Sequence, residues 1–374
     1  MGLFVLTMYI NCIESSYRVQ KRGFSVTDSA RQEKRKAKSL SDIFNEFARD
    51  SAERFPTSKG RLLIIDTNEN VYYGADDLDL KKAGYREDLV EKKVNEWMNA
   101  DLVQTCADSE DNKLNLYMIM YNEPVPKSQH TSVPLKTEKE ILFTMDHELG
   151  HLVIKKPAMK GENKQYRTLV DENIADAFAV IRHYQRSGMK SDYHPLIIDP
   201  WARAAGLVLH GDTTHFTTTM HEEIDKLKGK IDYSALSPQQ TIELARRFGT
   251  AYSPSASAVN RLYTKLKPVR ELFEEHPRSA LWMKKLVDIT LDLKNDDYTF
   301  RICKMTLEGF MDGRKDAYGA SIKITGPYWD QVKKDLATMD ERRKKEGIAF
   351  NLDVSLQPPP NDQIAPGKTA FFRL

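Results

Sequence analysis

The hydrophobic pattern changes period part-way along the chain. Leu40, Ile43, Phe44 and Phe47 recur at i, i+3, i+4 and i+7 behind Ser39, which predicts a capped helix with one buried stripe. Arg61-Leu-Leu-Ile-Ile-Asp66 is a short apolar run that reads as a strand. Thr67-Asn-Glu-Asn70 reads as a turn and Val71-Tyr-Tyr73 as the returning strand. Leu89, Val90, Val94 and Trp97 mark a second helix from Tyr85 to Asn99. Lys113–Tyr121 is a further strand, with Leu114, Leu116 and Met118 alternating with Asn115 and Tyr117. Beyond Thr137 the period becomes helical almost throughout. The predicted helices cover 138–155, 168–187, 197–209, 215–228, 238–249, 256–274, 277–293, 300–312 and 328–345, with Ser237 and Pro238 as a start signal for one of them.

This pattern predicts an α+β fold with four parts. Residues 1–135 form a small mixed-sheet lobe, 136–190 a helix pair, 191–350 a mainly helical lobe and 351–374 an extended tail. The polar run 28–38 reads as a solvated linker, and Gln357-Pro-Pro-Pro as extended chain. No repeat of fixed period is present.

Composition narrows the chemistry. Lys and Arg number 56 and Asp and Glu 54 in 374 residues, so the net charge of +2 gives no whole-chain case for a nucleic-acid partner. Cys12, Cys106 and Cys303 are odd in number and far apart, which excludes a disulfide framework and a cysteine zinc cage. No run reaches the ~18 apolar residues that a membrane span requires. The apolar start, Met1–Ile13, lacks a basic n-region and a small-residue cleavage site, and Leu6 breaks the myristoylation pattern behind Gly2. The expectation is a protein of the cytoplasm, or one exported without a cleavable signal peptide, with no integral membrane association.

His and Glu remain as metal ligands, and Asp146-His147-Glu148-Leu149-Gly150-His151 supplies them as HExxH. On a helix, residues four apart share a face, so His147 and His151 can aim at one ion while Glu148 reaches a water beside it. Thr137 and Glu140 form a capping box upstream. Ile141, Leu142, Met145, Leu149, Leu152 and Val153 supply the buried stripe. Gly150 permits close approach of a neighbouring backbone. Downstream, Glu172 and Asp176 stand four apart on a helix whose apolar face is Ala175, Phe178, Ala179, Val180 and Ile181. A catalytic zinc site needs three protein ligands and an open position. Glu172 suits the third ligand, and Asp176 suits the acceptor for the other ring nitrogen of His147.

HELGH followed by E-x-x-A-D resembles the gluzincin branch of zinc metallopeptidases, the thermolysin-like enzymes, over Thr137–Arg182. The E-x-x-A-D wording is also similar to that of membrane-embedded peptidases, whose topology needs spans that this chain lacks. The metzincin pattern fails, because Ile154 and Pro157 stand where it requires Gly and His. The resemblance implies a zincin-like fold holding one Zn2+ per chain. It makes His147, His151 and Glu172 the ligands, Glu148 the general base and Asp176 the outer carboxylate. It also implies an edge strand that aligns an extended peptide, a role that Lys113–Tyr121 fits as well as it fits that of an ordinary core strand. An oxyanion donor would come from His210, His215 or Tyr166, with His215 preferred at the start of a helix after a Gly-Asp-Thr-Thr turn.

The expected function is a zinc metalloendopeptidase of narrow specificity acting on a protein or peptide substrate. The alternatives are an inactive zincin-like binding or scaffold protein and, more remotely, a helical interaction protein in which HExxH arose by chance.

Overall fold

The computed structural model describes residues 38–55, 61–66, 71–74, 104–107, 116–121, 138–154, 164–189, 200–213, 220–293, 296–313 and 326–346. The helix expected over Tyr85–Asn99, the linker at 28–38 apart from its last residue, the tail, Thr137 and His215 lie outside these residues.

Helix α1 (Leu40–Arg54) starts as its sequence requires. The Ser39 hydroxyl accepts from the Asp42 amide, and the Asp42 carboxylate accepts from the Ser39 amide, a reciprocal cap. Its stripe of Ile43, Phe44 and Phe47 is buried. Four short strands follow: β1 (Arg61–Asp66), β2 (Val71–Gly74), β3 (Gln104–Ala107) and β4 (Leu116–Tyr121). They pair in the order β2-β1-β4-β3, with β1 and β4 parallel and the outer pairs antiparallel.

Helix α2 (Glu138–Val153) carries HExxH, and α3 (Lys164–Ser187) carries Glu172 and Asp176. Beyond them come α4 (Pro200–Ala205), a π-turn (Gly206–His210), α5 (Met220–Leu227), α6 (Pro238–Ala251), α7 (Ala256–Lys265), α8 (Lys267–Glu275), α9 (Leu281–Leu291), α10 (Asp297–Met311) and α11 (Pro327–Lys345). Residue-level boundaries follow the periodicity closely. Ser237 caps α6 with Pro238 in its first turn. The long segments expected at 256–274 and 197–209 each divide, the first at Leu266 and the second where the π-turn begins.

The fold class is corrected by this arrangement. The described residues are mostly helical, and the short strands do not make a sheet-bearing lobe of an α+β protein. The physical reason lies in α3. Fifteen of its 24 residues are buried, on every side of the helix, and they include Asp171, Asn173, Asp176, Arg182 and His183. A helix buried all round needs neighbours all round, whereas a sheet face covers one stripe. Helices α2, α5 and α6 enclose α3, with α6 the most extensive partner, and Asn173 donates to Ser253 just beyond α6.

A second correction concerns the aligning strand. Tyr117–Met120 of β4 is paired on both sides, with β1 and with β3. An interior strand has no free ladder for an incoming peptide.

Candidate metal centre

The α2–α3 contact sets the site. Gly150 lies against Ala175, where an added Cβ would stand 3.1 Å from the Ala175 Cα and 3.3 Å from the Phe178 ring. That close crossing brings one turn of α2 against one turn of α3. Met145, Leu149 and Ile154 on one side and Ile174, Ala177 and Phe178 on the other exclude water beneath it.

Three side chains converge above this crossing. His147 Nε2 lies 3.1 Å from Glu172 Oε2 and 3.2 Å from His151 Nε2, and His151 Nε2 lies 3.5 Å from the same Glu172 oxygen. The three ligand atoms form a nearly equilateral triangle, and the cluster could hold a metal ion. The opposite ring nitrogens are engaged. His147 Nδ1 donates to Asp176 Oδ1 at 2.9 Å, and His151 Nδ1 donates to Asp171 Oδ2 at 3.2 Å. With each Nδ1 carrying its proton, each Nε2 presents a lone pair to the shared point, beside an anionic oxygen. Three lone pairs facing one another at these distances repel unless a cation or protons lie between them.

The ionisation behaviour of the metal-free cluster follows from this. Burial alone would push His147 down, but hydrogen bonds to Asp176 and Glu172 outweigh it and hold the imidazole well above its ordinary value. Burial likewise opposes protonation of His151, and Asp171 and Glu172 raise it to about 9. Asp176 is 1% exposed, which would by itself raise its pKa. The Arg203 guanidinium and His147 instead hold it well below the usual carboxylate range.

Asp171 and Arg203 are functional neighbours that sequence reasoning missed. Asp171 stands directly before Glu172, and its acidity was the available signal. Arg203 comes from α4 and binds both oxygens of Asp176, through Nη1 to Oδ2 and through Nη2 to Oδ1 at 3.1 Å. No local spacing announces it.

Glu148 is half-buried on α2 between the two ligands in sequence. Of the expected oxyanion donors, His210 ends the π-turn with its ring edge-on to Phe273, and burial lowers its pKa to about 4. Tyr166 lies in the first turn of α3, packed against the core. His221 on α5 is 2% exposed and feels the charges of Arg203 and Asp176, with its pKa lowered to about 4 chiefly by burial.

Set against models of known families, curated proteins and solved structures, the chain matches none of the three. No described helix is long and apolar enough to cross a membrane.

Proposed function

We propose that the protein is a zinc metalloendopeptidase. The observation that carries this reading is the triangle of His147 Nε2, His151 Nε2 and Glu172 Oε2 with Glu148 on the same helix. Zinc bonds of about 2.0–2.1 Å in a tetrahedron give ligand–ligand edges of about 3.3–3.4 Å. The three observed edges of 3.1, 3.2 and 3.5 Å bracket that figure. Two imidazoles and one carboxylate also suit zinc better than calcium or magnesium, which favour oxygen ligands throughout.

When bound, zinc supplies a Lewis acid that acidifies water and polarises a substrate carbonyl. The chain's own residues do the rest. His147 and His151 are held as Nε2 donors because Asp176 and Asp171 occupy the opposite ring positions. Glu148 takes the proton of the attacking water and passes it to the leaving amine. Glu172 supplies the carboxylate oxygen of the ligand set from the facing helix.

The test is Glu148→Gln. The variant should bind one zinc per chain as the parent does, while proteolysis falls by about 10²–10⁴-fold. A search of a proteome for new N-termini, comparing parent with variant, both detects the activity and names the substrate. Equal zinc content and no new N-termini from the parent would favour a zinc-binding scaffold.

A further inference from the structure

Resting on the zinc reading, we infer that Arg203 is a positioning residue of the metal centre, and that through it the helical lobe beyond the motif holds His147 in its ligating orientation. The grip of Arg203 on the centre runs through Asp176. Arg203 binds both oxygens of Asp176, and one of these, Oδ1, accepts the His147 Nδ1 proton. A carboxylate gripped on both oxygens by a planar guanidinium cannot swing about its terminal torsion. The lone-pair direction offered to His147 is therefore fixed, and with it the plane of the imidazole. Both Arg203 and Asp176 are buried, so water cannot replace either partner.

What holds Arg203 in place lies farther out. Residues two apart on a helix point about 200° apart. On the short α4, Trp201 therefore faces away from Arg203, towards α10. Its indole donates to the Thr306 carbonyl at 3.2 Å and meets Phe310 edge-on. Gly309 leaves the space for that indole, and a Cβ there would overlap it. The chain of contact runs Gly309, Trp201, α4, Arg203, Asp176, His147. It assigns part of the 191–350 lobe to the metal centre itself.

The experiment is a double-mutant cycle on the full chain, with zinc affinity read by competition against a chromophoric chelator. Arg203→Leu should weaken zinc binding by about 10–100-fold. In an Asp176→Asn background the same change should matter less than about twofold, because the route through Asp176 to His147 is already cut. Equal losses in both backgrounds, or no loss in either, would overturn the proposal. Should Arg203→Leu fail to fold with Asp176 left unpaired, Arg203→Lys and the double variant carry the test. The lysine variant keeps the charge without the two-point grip and should show an intermediate loss. A second readout needs no metal. The hydrogen-bonded Nδ1 proton of His147, observed by NMR in the metal-free protein, should shift or broaden in Arg203→Leu, and an unchanged signal would count against the inference. If the parent binds no zinc, the proposed function falls, and this proton signal still decides the role of Arg203.

Discussion

Asp146 and His147 are adjacent in sequence and serve two polar clusters of opposite design. Asp146 is 1% exposed and faces Arg182 and Arg186, with Arg186 Nε at 2.9 Å and Nη2 at 3.0 Å. Both arginines also reach Asp50 on α1, which Arg54 meets as well at 3.0 Å, so guanidinium groups surround both carboxylates. His147 faces the other way, among Asp171, Glu172 and Asp176, the last of them gripped by Arg203. This arginine-rich cluster clamps α1, α2 and α3 together. In the second cluster two imidazoles face the carboxylates, and they can meet that negative charge by taking protons or by sharing a metal. Ligand atoms converging on a common point, rather than burial or hydrogen bonding as such, separate the candidate site from the structural knot on the same helix pair.

The sharpest way to break this comparison is to remove one carboxylate from each cluster. Asp146→Ala removes the carboxylate that the buried Arg182 and half-buried Arg186 share, leaving them on Asp50, and should cost about 3–5 kcal/mol of stability. Zinc affinity of the folded protein should stay within about threefold. Glu172→Gln should do the reverse, abolishing stoichiometric zinc while shifting metal-free stability by about 1 kcal/mol or less, since Glu172 is partly open to solvent. Chemical denaturation and metal analysis on both variants check the pair, and a zinc loss in Asp146→Ala equal to that in Glu172→Gln would dissolve the distinction.

A smaller effect distinguishes histidines of the centre from those of the core. In the metal-free protein His151 is raised to about 9, above the ~6.5 of an unfolded chain. Its contribution is fully present below pH 6.5 and is lost as pH rises through 9. His221 is lowered to about 4, so its neutral form suits the fold. The stability linked to it is present above pH 6.5 and is lost as pH falls towards 4. Each of these two shifts is worth on the order of 3 kcal/mol. Metal-free stability should therefore peak near pH 6.5, and saturating zinc should remove the alkaline limb alone. Urea denaturation across pH 4–10, with and without zinc, reads both limbs.

The elements and the ligands were legible in sequence to different depths. Helical periodicity located α1–α3 and the helices from α6 to α11, because each carries an apolar stripe that local spacing reveals. The HExxH and E-x-x-A-D spacings foretold the contact of His147 with Glu172 and Asp176, since an i, i+4 pair shares a face wherever the helix lies. The α+β class failed because strand-like runs such as Arg61–Asp66 show that strands form, not what share of the fold they make up. The buried acids and bases of α3 also read as a polar face, which hid the enclosure of that helix by others. β3 was missed because Gln104–Ala107 is too short for any alternation to show. Arg203 and the Asp50–Arg182 link were invisible for a different reason. They join residues 27 and 132 positions apart, and no local pattern encodes such a pairing.

The finest test of the helix-pair geometry is Gly150→Ala. Alanine has the higher helix propensity by about 1 kcal/mol, so an exposed helix would gain from the change. Here the new methyl meets the Ala175 Cα at 3.1 Å, and backbone cannot rotate away as a side chain can. The helices must part by a few tenths of an ångström, and that strain outweighs the propensity gain. The expected result is a net loss of about 1 kcal/mol in stability. The same displacement moves His147 and His151 together away from Glu172, which sits on the other helix. Zinc affinity should fall several-fold while the His147–His151 spacing is kept. A gain in stability with unchanged zinc binding would show that the crossing is looser than the Gly150–Ala175 contact implies, and that the triangle is set by the side chains alone.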